Sequence, residues 1–80
     1  MIEVYTKDGC VFCTRAKALA EESGYEYKII HMPRDISRED LMAKFPTSRT
    51  MPIITIDNEN VGGYNELKYI IEERKANDEL

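Results

Sequence analysis

Two cysteines separated by two residues, Cys10-Val11-Phe12-Cys13, are the groups in this chain best suited to chemistry. The helix-forming run Thr14 to Glu22 directly behind them places Cys10 at or before a helix N-terminus and Cys13 one turn inside. The first amides of a helix have no intrahelical partners and carry about half a positive charge, so an anion resting there is stabilised. A Cys10 thiolate is such an anion. Its pKa is expected below the free value of roughly 8.5, with Lys7 and Arg15 adding to the effect, so that Cys10 attacks and Cys13 resolves. Helical residues three apart have β-carbons roughly 5–6 Å from each other, and modest adjustment closes that gap to a disulfide. The same spacing also occurs in half of a zinc site, or as two small buried apolar residues. Structural zinc takes four ligands, and His31 is the only other soft candidate, so no metal site is expected. A C-x-x-C beside a βαβ pattern points instead to redox exchange.

The elements that must position this pair follow from periodicity. Ile2 to Thr6 is β-branched and aromatic and predicts a strand ending in the turn Lys7-Asp8-Gly9. A first helix over about 11–23 carries apolar Phe12, Ala16, Leu19 and Ala20 at helical spacing, with Gly24 at its C-terminal cap. Alternating Tyr25, Tyr27 and Ile29 predict a second strand continuing into Ile30, followed by a loop from His31 to Asp35. Such a βαβ crossover is right-handed in nearly all cases, and ligands gather at the carboxyl ends of its strands, where the Cys10 turn lies. Ser37 and Asp40 predict a helix N-cap, with Ile36 and Leu41 as a hydrophobic staple, and Pro46 stops that helix after Phe45. Beyond the polar loop 47–52, Ile53 to Ile56 and Val61-Gly62 form an antiparallel hairpin across the turn Asp57 to Asn60. Gly63 permits close backbone approach, Asn65 is a candidate N-cap, and Leu67, Ile70 and Ile71 supply the apolar face of a last helix, with fraying expected from Ala76 to Leu80.

Eighty residues make one domain, 1–80, which buries only about 60–65% of its unfolded surface. Two cysteines are too few to staple a secreted domain, which favours a reducing compartment and a cytoplasmic location. Met1-Ile2-Glu3-Val4-Tyr5 lacks the look of a secretory signal, and no stretch reaches membrane-spanning length. Asn77-Asp78-Glu79-Leu80 looks like an endoplasmic-reticulum retention tail, an address that acts only on a chain already inside that compartment, so it is read as an acidic end. A net charge of −4 argues against nucleic-acid partners. Lys7, Arg15, Lys17 and Arg49 are expected to gather near the thiols and make a locally basic site, and the domain is expected to act as a monomer.

The order β-α-β-α-β-β-α with cysteines at the first helix start resembles the dithiol glutaredoxins, of the small bacterial and phage type. Tyr5-Thr6-Lys7, Cys10-Val11-Phe12-Cys13, Arg49-Thr50-Met51-Pro52 and Gly62-Gly63-Tyr64-Asn65-Glu66-Leu67 carry the likeness in register across nearly the whole chain. It implies an α/β thioredoxin-like fold, a four-stranded mixed sheet flanked by three helices. It also implies a cis Met51-Pro52 bond that turns the Met51 backbone toward the thiols, whereas Pro33 and Pro46 are read as loop and helix stop. Glutathione, as co-substrate without any tightly bound cofactor, is implied to lie between Cys10 and the last helix, along Phe12, Thr50, Met51 and Pro52. Lys7 and Arg49 would hold its glycine carboxylate, and Gly63, Tyr64, Asn65 and Glu66 its γ-glutamyl end, at a helix start suited to anions. For the charged residues the plainer alternative is a solvated face, and for Tyr64 a staple onto Tyr69.

The implied activity is reduction of protein disulfides and protein–glutathione mixed disulfides, with ribonucleotide reductase among the implied partners. Val11 and Phe12 stand where many members have proline and tyrosine, Glu66 where aspartate is common, and Met51 where valine is usual. Two alternatives belong beside this reading. One is a thioredoxin-like donor recharged by a flavoprotein reductase; the other is a glutathione-ligated iron–sulfur scaffold, against which Cys13 and Val11 speak.

Overall fold

Strand β1 (Ile2–Lys7) is the spine of the computed structural model, which describes residues 1–76. It pairs in parallel with β2 (Tyr27–Met32) and antiparallel with β3 (Ile53–Ile56), and β3 pairs antiparallel with β4 (Glu59–Gly62), giving the sheet order β2-β1-β3-β4. Side chains alternate across a strand, so Ile2 and Val4 serve one layer and Tyr5 the other. Helices α1 (Val11–Glu22) and α3 (Tyr64–Ala76) cover the first face, where Ala16, Ala20, Leu67 and Ile71 pack on Ile2, Val4 and Ile54. The alanines let α1 lie close to the sheet. Helix α2 (Arg38–Lys44) covers the other face, setting Leu41 and Phe45 against Tyr5 and Ile53. The Tyr5 and Phe45 rings meet edge-on at 4.9 Å.

The element order is the expected one, and several boundaries move for identifiable reasons. Strand β2 starts two residues later than predicted, because its register with β1 runs from Ile2↔Tyr27 to Lys7↔Met32. His31 and Met32 therefore belong to the strand rather than to a loop. Tyr25 completes the turn instead: Gly24 takes φ 84°, and the Tyr25 amide donates to Ser23 Oγ at 3.1 Å. The hairpin turn contracts to Asp57 and Asn58, both at positive φ (51° and 69°), so β4 resumes at Glu59. Aspartate and asparagine tolerate this left-handed region better than most residues. Met51–Pro52 is cis, as the family resemblance implied, and Met32–Pro33 is cis as well, where only a plain loop was expected.

At α2, Ser37 is the N-cap, its Oγ accepting from the Asp40 amide at 3.1 Å, and Ile36 and Leu41 share one apolar cluster as a staple requires. Helix α3 begins at Tyr64, which makes Gly63 its cap in place of Asn65. The Gly63 carbonyl accepts the first helical bond from Leu67, while the Gly63 amide donates to Glu66 Oε1 at 2.7 Å. That is the backward half of a capping box. Phe12, expected on the buried stripe of α1, is 49% exposed. Ala76 is helical, and Asn77 to Leu80, with the acidic end, lie outside the described residues.

Candidate active site

Cys10 is the N-cap of α1, in extended backbone conformation, and Cys13 lies one turn on. Their Cα atoms are 5.2 Å apart and the pair is closed as a disulfide. The Cys13 amide donates to Cys10 Sγ at 3.1 Å. The first turn of α1 carries no acidic side chain, so no carboxylate within that turn competes for the free amides that would stabilise a Cys10 thiolate. The two sulfurs differ in access: Cys13 is 1% exposed, whereas Cys10 is half-buried. Cys10 Sγ is 3.7 Å from the Met51 carbonyl oxygen. As a disulfide sulfur it has no proton to offer; as a thiol it has an acceptor there.

The turn that delivers Cys10 is tied down by His31. Its Nδ1 is 3.1 Å from Thr6 Oγ1, and its Nε2 is 3.1 Å from an Asp8 carboxylate oxygen. Both ring nitrogens of the one histidine considered as a metal ligand therefore have protein partners. On the far side, the His31 amide donates to Asp35 at 2.9 Å. Arg34 adds a two-pronged contact to the same carboxylate, holding its pKa down to about 2.

Beside Cys10 a groove of about 340 Å³ runs between the cis-proline loop and the start of α3, lined by Phe12, Thr50, Met51, Pro52, Gly63, Tyr64, Asn65 and Glu66. All eight were candidate site residues on sequence grounds. The Phe12 and Tyr64 rings meet at 5.8 Å across it, so Tyr64 does not reserve itself for Tyr69, which stands 65% exposed. Gly63 lies close under the loop, where an added Cβ would be 3.4 Å from the Pro52 carbonyl oxygen. Glu66 has one oxygen committed to the Gly63 amide, leaving the other for a ligand.

The cations divide differently from expectation. Lys7 and Arg49 line a second hollow on the α2 side, which shares Thr50 and Met51 with the first. The Arg15 guanidinium lies over the Phe12 ring at 5.3 Å, and Lys17 lines neither hollow. Sequence reasoning missed the α2 contribution to the second hollow, Arg38, Leu41, Met42 and Phe45. Their i, i+3, i+4, i+7 spacing was the available signal.

A family model for glutaredoxin matches residues 2–61. Glutaredoxin 3 of Escherichia coli strain K12 is 33% identical over 79 residues, covering 99% of this chain and 94% of that protein. Among solved structures, the oxidised glutaredoxin of Escherichia coli superposes with a TM-score of 0.72 at 29% identity, over 90% of this chain and 93% of that one. A buckwheat glutaredoxin–glutathione complex shares the fold, with a TM-score of 0.67 at 22% identity, over 96% of this chain and 69% of that one.

Proposed function

This chain belongs to the glutaredoxin family and is a thiol-disulfide oxidoreductase working through Cys10 and Cys13, and on that premise we propose that it draws its electrons from glutathione. The observation that carries the proposal is the groove walled by Met51, whose carbonyl oxygen is 3.7 Å from Cys10 Sγ, and reaching the N-terminus of α3. Glutathione has a charged group at each end and a thiol between them. In the proposed pose its cysteinyl backbone pairs with Met51, and Phe12 and Tyr64 wall the groove above Thr50 and Pro52. Its γ-glutamyl carboxylate meets the free amides of Tyr64 and Asn65 beside Gly63, as anions do at helix starts, and its ammonium faces the oxygen of Glu66 that the Gly63 amide leaves uncommitted. Its glycine carboxylate reaches Lys7 and Arg49. A glutaredoxin of the same fold has been crystallised with glutathione.

The steps conserve two electrons. The Cys10 thiolate attacks the glutathione sulfur of a protein–glutathione mixed disulfide, and the protein leaves as a thiolate that takes up a proton. A second glutathione thiolate then attacks the glutathione sulfur on Cys10, releasing glutathione disulfide and restoring the Cys10 thiolate. With a protein disulfide, Cys10 attacks one sulfur, Cys13 displaces it, and the substrate leaves as a dithiol; two glutathiones reopen the 10–13 bond. Glutaredoxin potentials of about −200 to −230 mV lie near those of glutathione pools, which permits exchange in both directions. The setting proposed is a reducing cytoplasm, and the protein substrates are enzymes that form a disulfide in each turnover, ribonucleotide reductase among them.

The test is turnover of a small glutathione mixed disulfide, followed through glutathione reductase. Cys10→Ser should abolish both activities, whereas Cys13→Ser should lose protein-disulfide reduction and keep deglutathionylation. Equal loss in the two variants would overturn the role assignment, and recharging only by thioredoxin reductase would overturn the choice of glutathione.

A further inference from the structure

We propose that the second hollow docks the residues following the reacting cysteine of a protein disulfide, and that it favours substrates with an apolar side chain and acidic residues there. The inference rests on the direction of the glutathione pose above, which sends the carboxyl side of the substrate cysteine toward Lys7 and Arg49.

The hollow encloses about 180 Å³, room for a side chain rather than a domain. Its walls are Met32, Leu41, Phe45 and Met51, with Met42, 56% exposed, at the lip. Unbranched, polarizable methionines adapt to differently shaped apolar groups. Around this apolar floor stand Lys7, Arg38 and Arg49, and no acidic side chain lines the hollow. Among the described residues none of these three cations pairs with a carboxylate. On a chain with 15 acids against 11 lysines and arginines, that is a local reversal of sign, and it sits directly beside the reacting sulfur through the shared Met51. Complementary charge of this kind steers encounter and selects partners. Glutathione ends at its glycine, so only a longer chain can continue past Lys7 and Arg49 to Arg38 and Met42.

The experiment uses the pre-reduced protein in single turnover against two symmetrical peptide disulfides, so that no glutathione is needed. In one peptide the cysteine is followed by leucine and two glutamates, in the other by leucine and two lysines. Cys10 attacks, Cys13 closes the 10–13 bond, and two peptide thiols are released. The acidic peptide should react roughly tenfold faster at low ionic strength, with the gap closing as salt is added. Arg38→Glu should erase most of that preference, and Met42→Ser should slow the acidic peptide, while turnover of a small glutathione mixed disulfide stays within about twofold of wild type. An acidic residue in the first turn of a helix is favourable, so Arg38→Glu is compatible with folding. Equal rates for the two peptides, or an equal effect of Arg38→Glu on the glutathione substrate, would overturn the proposal. A concentration-dependent dimer dissociated by Arg38→Glu would also overturn it, by assigning the hollow to a second copy of the chain. Peptide preference without glutathione turnover would leave this inference standing and remove the proposed reductant.

Discussion

A sulfur at a helix N-cap does what a serine hydroxyl usually does there, accepting a hydrogen bond from the amide three residues on. The difference is that this cap can ionise and can form a bond to another sulfur. That much was legible from Cys10 and Cys13 together with the helical period. The placement of Arg15 was not, because a cation on a long side chain settles on the face of whichever aromatic ring its helix brings near, here Phe12 one turn earlier. Asp35 gives a prediction at this scale. Arg34 donates to its carboxylate and the His31 amide adds a second bond, so the folded pKa of about 2 lies below the ordinary value. A carboxyl depressed by folding contributes stability above its unfolded pKa and loses it as pH falls toward the folded value. Asp35→Asn should therefore lower the urea midpoint at neutral pH, and the deficit should shrink between about pH 5 and 3. A deficit constant over that range would remove the carboxylate from the account.

Among the elements, α2 was the most readable, since Ser37, Asp40, Ile36 and Leu41 are short-range signals. Strands β2 and β4 were less so. The alternation Tyr25, Tyr27, Ile29 is real, but where a strand begins is decided by the partner strand, and β1 enters register only at Tyr27. The hairpin turn was hidden because Asp57-Asn58 lacks the glycine that usually marks a two-residue turn. The start of α3 depends on Gly62, at φ 120°, where an added Cβ would come within 2.7 Å of Glu66 Cγ. Gly62→Ala should thus strain the backbone and displace Glu66 from the Gly63 amide. A loss of about 1–3 kcal/mol in urea unfolding is expected, and an unchanged midpoint would show that β4 and α3 meet with slack.

For the whole molecule, the sheet separates two apolar layers of unequal size, the larger under α1 and α3 and the smaller under α2. The order of elements and the site between them followed from hydrophobic period and four short motifs. The division of the basic residues between two hollows did not, because it depends on how α2 lies across the sheet. Leu67 is fully buried in the larger layer. Leu67→Ala should cost about 2–5 kcal/mol, a large share of the roughly 5–15 kcal/mol available to a domain. The thermal midpoint should fall steeply, and a small shift would mean that α3 can settle into the space left behind.

The fold also gives the redox pair an outer and an inner member. Anything dissolved around the molecule, whether oxidant, alkylating agent or client, can negotiate only with the sulfur of Cys10, while the nearly enclosed sulfur of Cys13 converses with its neighbour alone. Electrons consequently pass through a single doorway in both directions.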